Sequence, residues 1–159
     1  MLFRSAEAAY TRCGHDTMRA VVVNNRALVL LDQERVADAR ASFEHARRVF
    51  RAVGFETGLA IVEMNLAKVA WREGALDDAR MHLRVARRAF DALGTDAHAA
   101  ELAVVTAEIA RASGNSNVAR RRALEAWDAC DEAHAPEALR LDRKSTRLNS
   151  SHQIISYAV

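Results

Sequence analysis

Apolar residues along this chain recur every three or four positions, which is the spacing of one face of an α-helix. In the segment 59–74 the recurring residues are Leu59, Val62, Leu66, Val69 and Ala70. In the segment 75–94 they are Leu76, Ala79, Leu83, Ala86, Phe90 and Leu93. A β-strand would instead alternate apolar and polar residues in steps of two. The pattern therefore predicts two consecutive amphipathic helices in this part of the chain.

Rarer residues repeat at an interval of forty. Gly14, Gly54 and Gly94 are forty residues apart, and Gly74 and Gly114 lie midway between them. The aromatic residue Tyr10 returns as Phe50 and Phe90, Asn25 returns as Asn65, and Asp38 returns as Asp78. Glycine readily adopts the left-handed conformation that ends a helix, so glycines twenty residues apart indicate one helix and one turn between them. The sequence therefore predicts a forty-residue repeat of two helices.

Small residues occupy the same positions of successive repeats. In the predicted first helices they are Ala27, Ala67 and Ala107. In the predicted second helices the sets are Ala39, Phe43 and Ala46, then Ala79, Leu83 and Ala86, then Ala119, Ala123 and Ala126. This arrangement resembles the tetratricopeptide repeat family in its longer, forty-residue form, as in large bacterial regulators. Glu34 departs from the family pattern, which often places a glycine in that turn, as Gly74 and Gly114 do here.

The resemblance implies an all-α fold, an α-solenoid of antiparallel helix pairs that forms a right-handed superhelix and is truncated at both ends. A methyl side chain at a helix crossing lets the two backbones approach closely. We therefore expect Ala27, Ala39, Ala46, Ala67, Ala79 and Ala86 to be buried at such crossings. One helix pair buries too little apolar surface to be stable alone, so each repeat is expected to depend on its neighbour.

The forty-residue period divides the chain into segments. We expect residues 6–19 to end a preceding repeat, and residues 20–59, 60–99 and 100–139 to form three repeats. The helix of a fourth repeat is expected to begin near Pro136, and residues 140–159 are expected to run from the start of that repeat into a tail of different composition. Written back into codons, residues 142–159, DRKSTRLNSSHQIISYAV, resemble translated sequencing adapter, and so do residues 1–5. We therefore interpret the chain as a fragment of a larger bacterial protein.

Charge and hydropathy give no indication of a nucleic-acid or membrane partner. The whole chain has a net charge of +2, but residues 6–141 contain 19 basic and 20 acidic residues. Arginine pairs such as Arg47 with Arg48 recur with the repeat, yet acidic residues are interleaved and no aromatic residues alternate with them to stack bases. The sequence contains no apolar run of about 18 residues, the length that a membrane span needs. We therefore expect neither nucleic-acid nor membrane binding.

Residues that could carry chemistry lie at spacings that match no known site. The sequence has no glycine-rich phosphate loop and no Gly-x-Ser-x-Gly elbow. Its histidines lack metal-ligand spacing, and His82 is expected to face solvent. Cys13 and Cys130 are far apart in a stack whose contacts are local, so we expect no disulfide between them and a reducing compartment. The expected protein is cytoplasmic and not an enzyme, with no cofactor and no metal.

The resemblance also implies where a partner binds. First helices of the family line a concave groove, and an asparagine in them often hydrogen-bonds the backbone of an extended ligand. The candidate groove residues here are Asn25, Asn65, Lys68, Trp71, Arg72, Glu108 and Arg111. Asn25 and Asn65 are also open to a structural role in an interhelical contact, and Trp71 to packing against a neighbouring helix.

Two functions remain open at this point. One is a protein-interaction scaffold that binds a peptide or protein partner in the groove. The other is an intramolecular regulatory arm of a multidomain transcriptional regulator or a CHAT-type peptidase, in which another part of the same parent chain fills the groove. The uncapped ends of the solenoid also offer a surface for self-association.

Overall fold

The computed structural model describes residues 2–12 and 14–134, which fold into helices joined by short turns. The helices are α1 (Leu2–Arg12), α2 (Asp16–Asp32), α3 (Val36–Val53), α4 (Glu56–Arg72), α5 (Leu76–Leu93), α6 (Ala99–Ala112) and α7 (Ser116–His134). These described residues contain no strand, and the prediction of an all-α fold is confirmed. The chain divides into two compact units between Asp96 and Ala97.

The first unit contains α1 to α5. α2 and α3 form one helix pair, and α4 and α5 form the next. Only residues 33–35 and 73–75 separate the paired helices, and such short connections make the two helices of a pair antiparallel. α1 packs against α2, α3 packs against α4, and α2 also touches α4. The first helices of the two pairs, α2 and α4, are therefore neighbours.

Six alanines of the first unit are buried as predicted. Ala27, Ala39, Ala46, Ala67, Ala79 and Ala86 are each 0% exposed. Larger apolar side chains fill the space around them, and Phe43, Phe50 and Leu66 belong to the buried cluster of this unit. Burial of one side chain of that size stabilises the fold by about 1.5–3 kcal/mol. The prediction that these six alanines are buried is confirmed.

The second unit contains the helix pair α6 and α7. Its buried apolar residues are Leu102, Ala103, Val105, Ile109 and Ala110 of α6, and Ala126 of α7. Ala107, Ala119 and Ala123 are half-buried, so these alanines are less covered than their equivalents in the first unit.

The turns between α2 and α3 and between α4 and α5 place different residue types at the position with a positive φ. Gly74 has a φ of 77°, in the left-handed region that glycine enters without steric cost. Glu34, forty residues earlier, adopts nearly the same conformation with a φ of 59°. A side chain in this region costs about 1–2 kcal/mol. The turn therefore keeps its shape although its glycine is replaced.

Several sequence predictions lie outside the described residues. They are the adapter interpretation of residues 142–159, the fourth repeat near Pro136, and the expectations for Cys13. The predicted repeat starts at 20, 60 and 100 stay predictions, and the helix pairs begin at Asp16, Glu56 and Ala99. Within the described residues, no helix combines the length and apolar character needed to cross a lipid bilayer.

Candidate functional site

The first helices of the first unit carry five of the predicted groove residues. Asn25 and Arg72 are exposed, Lys68 and Trp71 are half-buried, and Asn65 is 1% exposed. Lys68, Trp71 and Arg72 follow each other at helical spacing and share one face of α4. Half-buried apolar side chains accompany them, namely Val21 and Leu28 of α2 and Ile61 of α4.

A chain of side-chain amides joins α4 to the surface of α2. Asn65 donates through Nδ2 to Oδ1 of Asn24 at 3.1 Å, and Asn24 donates through Nδ2 to Oδ1 of Asn25 at 3.2 Å. Asn65 and Asn24 are buried, whereas Asn25 is exposed. Within the described residues, Oδ1 of Asn65 is buried and has no hydrogen-bond donor. Asn65 thus makes an interhelical contact. Of the three hydrogen-bonded side-chain amides, the exposed one is that of Asn25.

Arg72 links the end of α4 to the turn between α2 and α3. Its Nη1 lies 2.5 Å from Oε1 of Glu34. Its guanidinium carbon lies 5.3 Å from the centroid of the Trp71 ring, within the range of a cation–π contact. The ion pair and the ring contact together hold Arg72 in place. The Trp71 ring is therefore a half-buried apolar surface with a positive charge beside it.

A second ion pair lies next to the first in sequence. Arg40 of α3 donates through Nε to Oε1 of Glu73 at 2.9 Å, and a second guanidinium nitrogen also contacts this carboxylate. The hydrogen bond from Arg40 lowers the pKa of Glu73, and desolvation opposes it less strongly. The same bond raises the pKa of Arg40. Arg72 and Glu73 therefore each bind an opposite charge of the preceding helix pair.

α4 also buries a charged group, on a different side from Asn65. Glu63 is 7% exposed, and its Oε2 lies 2.6 Å from Nδ1 of His82 on α5. Its Oε1 lies 3.5 Å from Nη1 of Arg47 on α3. Two residues along a helix turn by about 200°, so Glu63 and Asn65 face different neighbours. Glu63 thus joins one first helix to two second helices.

The expectation that His82 faces solvent is wrong, because this histidine is 7% exposed. Its position on the helix explains the burial, since it lies three residues after Ala79 and four before Ala86, both 0% exposed. Glu63 likewise lies three residues after Ala60 and four before Ala67. Counting helical spacing at every polar residue, rather than at apolar residues alone, would have placed both groups on buried faces.

The electrostatics of Glu63 follow from these neighbours. Burial acts to raise its pKa, because a charge loses hydration in the interior. The hydrogen bond and the charge interaction with His82, together with Arg47, act in the opposite direction and outweigh it. The net pKa of Glu63 therefore lies below its ordinary value, and the carboxylate is ionised at neutral pH.

Two further predicted groove residues lie in the second unit. Glu108 is half-buried and Arg111 is exposed, and both belong to α6. They are three residues apart and so share one face of that helix. Val105 stands forty residues after Asn65 and is 2% exposed, so the asparagine position is apolar and buried in this repeat.

The arrangement offers surfaces for binding. In the described part of the chain, no three histidine, cysteine, aspartate or glutamate side chains lie close enough to hold a metal ion. The buried polar side chains of the first unit pair with one another across helices, Asn65 with Asn24 and Glu63 with His82. The half-buried face around Trp71 combines an apolar ring with neighbouring charges, which suits recognition of a peptide or protein surface.

Comparison with known families supports a repeat protein. Residues 18–92 match the family model described as tetratricopeptide repeat. The match begins in α2 and ends in the last turn of α5, so it spans both helix pairs of the first unit. A search of curated proteins finds no significant match to the chain.

Proposed function

Because residues 18–92 belong to the tetratricopeptide repeat family, we propose that the chain binds a peptide or protein partner in a groove lined by its first helices. Repeats of this family generally serve as protein–protein interaction modules and are typically non-catalytic scaffolds. The groove proposed here is the face that α4 forms with α2 around Trp71.

The half-buried ring of Trp71 is the observation that carries this proposal. Arg72 packs beside the ring and is held by Glu34, so the ring loses little conformational freedom when a ligand covers it. Tryptophan is enriched among residues that dominate binding energy, because it offers a large and rigid apolar surface. Ile61 of α4 adds apolar surface ten residues before Trp71 on the same helix.

The other predicted groove residues receive different roles in this proposal. Asn25 presents an exposed amide, and Lys68 supplies a charge on the face of α4 that carries Trp71. Glu108 and Arg111 belong to the second unit, and their role in binding stays a prediction for α6 alone. Asn65 is buried against Asn24, so we propose that it supports the neighbouring amides and does not contact the ligand.

Selection of a displayed library of random peptides on the immobilised full-length chain tests this function. Enriched peptides would be synthesised and titrated against the chain by isothermal titration calorimetry. We expect binding in a 1:1 ratio, and Trp71→Ala should weaken it by at least about tenfold, which corresponds to the loss of an anchor residue.

Val53→Ala is the matched control, because Val53 is a 47% exposed apolar residue on the second helix α3. This variant should bind the enriched peptides as the unmodified chain does. Circular dichroism would verify that both variants keep their helices. Failure to enrich any peptide, or equal binding by Trp71→Ala, would contradict the proposal.

A further inference from the structure

The second helices α3 and α5 of the first unit carry exposed arginines in their C-terminal halves. They are Arg48 and Arg51 on α3, and Arg84 and Arg88 on α5. In the part of the chain that the structure describes, none of these four arginines makes an ion pair or a hydrogen bond through its side chain. Their positive charges are therefore not neutralised within the fold.

Acidic residues of the same two helices are paired elsewhere. At the start of α3, Asp38 pairs with Arg35 at 2.6 Å, and at the start of α5, Asp77 pairs with Arg80 at 2.7 Å. The segments 45–53 and 81–90 contain no acidic residue. Acidic and basic residues that are interleaved in the sequence are thus separated along each helix, and the C-terminal halves are basic.

Glu63 of α4 brings the two basic halves side by side. Its carboxylate oxygens lie 3.5 Å from Nη1 of Arg47 on α3 and 2.6 Å from Nδ1 of His82 on α5. Both second helices are joined to α4 by short connections, so both are antiparallel to it and run in the same direction. Residues 48–51 follow the first contact along α3 as residues 83–86 follow the second along α5. The arginines of α3 are therefore level with the basic half of α5.

Two exposed apolar side chains lie among the arginines. Met81 is 39% exposed and Val85 is 42% exposed. With Arg84 and Arg88 they stand at positions i, i+3, i+4 and i+7, which form one face of α5. Asp91, three residues after Arg88, bounds this face at its end. We call the surface the basic patch, and its residues are Arg48, Arg51, Met81, Arg84, Val85 and Arg88.

Packing between repeats leaves the equivalent face of α3 open. α2 and α4 both pack against α3, yet Ala41 and Arg48 stay exposed. These two positions correspond to Met81 and Arg88 of α5, forty residues later. The repeat architecture therefore assigns no helix of the stack to this face.

We propose that the basic patch binds an acidic segment of a partner protein that carries apolar residues among its aspartates and glutamates. The unpaired guanidinium groups suit carboxylates, which arginine binds through two parallel hydrogen bonds. Met81 and Val85 offer apolar surface for the apolar residues of such a segment. The rings of Phe43, Phe50 and Phe90 on these helices are buried, so they are not available to stack bases. These observations favour a protein segment over a nucleic acid.

A synthetic peptide of about twelve residues, with leucine at every third position and glutamate at the others, serves as the probe. Fluorescence anisotropy of the labelled peptide would be followed as the full-length chain is added at low salt. We expect saturable 1:1 binding that weakens as salt is added, because salt screens exposed charges. Arg48→Glu with Arg84→Glu should weaken binding at least about tenfold, since two attractive charges become repulsive.

Arg35→Glu with Arg80→Glu is the matched control. It reverses the same number of charges on the same two helices, but these arginines lie at the other ends and already pair with Asp38 and Asp77. It should weaken binding by less than about threefold, because exposed charges at a distance are screened. Circular dichroism would verify that both double variants keep their helices.

Two further variants test the apolar part of the patch and its independence from the groove. Met81→Ser with Val85→Ser should weaken binding of the leucine peptide several-fold, because apolar contact is lost. The same variant should not weaken binding of a peptide with serine in place of leucine. Trp71→Ala should bind the probe as the unmodified chain does, which separates this patch from the groove proposed above.

Three results would overturn the inference. An absence of saturable binding, or equal weakening by the matched control, would mean that net charge and not the basic patch attracts the peptide. Tighter binding of a thymidine oligonucleotide or of phosphatidylserine vesicles, lost in Arg48→Glu with Arg84→Glu, would assign the patch to a nucleic acid or a lipid surface. A chain that sediments as a dimer, with that double variant as a monomer, would place a second copy on the patch.

Discussion

α4 carries two buried polar clusters, two residues apart in sequence, that differ in charge. On one side Asn65 meets Asn24 of α2 through neutral amides. On another side Glu63 meets Arg47 of α3 and His82 of α5 through a charged carboxylate. Removing the hydrogen-bond partner of a buried neutral amide destabilises a fold modestly, whereas removing the partner of a buried charge destabilises it much more. We therefore expect substitutions in the Asn65–Asn24 pair to reduce stability less than removal of the Glu63 carboxylate from the other cluster.

Removing the carboxylate should have the largest effect. Glu63→Ala removes the buried carboxylate that contacts both His82 and Arg47, and removing one member of a buried charged pair costs about 3 kcal/mol. The measurement is the free energy of unfolding from urea denaturation followed by circular dichroism. Glu44→Ala is the matched control, because Glu44 also contacts Arg47 but its side chain is 38% exposed. This control should change stability by less than about 1 kcal/mol.

Replacing both buried partners should restore much of that loss. Glu63→Leu with His82→Leu substitutes apolar side chains for the pair, and such replacements are often neutral because no charge has to be desolvated. We expect the double variant to unfold within about 1 kcal/mol of the unmodified chain. A double variant as unstable as Glu63→Ala would show that the packing of this cluster, and not its charge, is responsible.

Substitution in the neutral pair of Asn65 and Asn24 should lower the free energy of unfolding by a smaller amount. Asn65→Ala removes one hydrogen bond and leaves the buried amide oxygen of Asn24 without its donor, which costs about 1–2 kcal/mol. The residues forty positions after Asn24 and Asn65 are Met64 and Val105, both buried and apolar. Asn24→Met with Asn65→Val copies this pair and should recover most of the lost stability. A further decrease in the double variant would contradict a role limited to hydrogen bonding.

The repeated fold could be predicted from the sequence because it depends on the spacing of small and apolar residues along the chain. Ala39 and Ala79 are forty residues apart, and each is 0% exposed, since close helix approach requires a small residue at the same place of each pair. Periodicity also located the left-handed turns. It did not reveal that Glu34 adopts the glycine conformation, because the compensating contact with Arg72 joins residues 38 positions apart.

The binding roles of the candidate site residues were harder to predict from the sequence, because the repeat period does not report which neighbours a side chain has. The forty-residue period makes Asn25 and Asn65 equivalent in sequence, but Asn65 is buried against Asn24 while Asn25 is exposed. Equivalent positions therefore have different neighbours, and neighbours decide whether a polar side chain can meet a ligand. The pairing of Glu63 with His82 has no counterpart in the other repeats, so no period could indicate it.

The charged cluster should also make stability depend on pH in a way that the neutral cluster does not. The pKa of Glu63 is lower in the folded chain than its ordinary value near 4.5. Its contribution to stability is therefore present above about pH 4.5 and is lost as the pH falls through the lowered folded pKa. Glu63→Gln cannot ionise, so its stability should fall less steeply between pH 5 and pH 3. Urea denaturation at each pH measures both slopes, with Asn65→Ala as the control that keeps the slope of the unmodified chain.

The smallest effect is expected where a charge is paired at the surface. Glu34→Gly removes the ion pair with Arg72, whose side chains are 69% and 35% exposed, and such pairs contribute about 0.2–1 kcal/mol. The same substitution relieves the cost of a side chain at a φ of 59°, which is about 1–2 kcal/mol. The two terms have opposite sign, so we expect a small net stabilisation, on the order of 1 kcal/mol. Glu34→Gln keeps the strained turn but loses the charge, so it should be less stable than Glu34→Gly in the same urea titration. Glu34→Gly less stable than Glu34→Gln would mean that the Glu34 side chain contributes more through its contact with Arg72 than the turn gains from glycine.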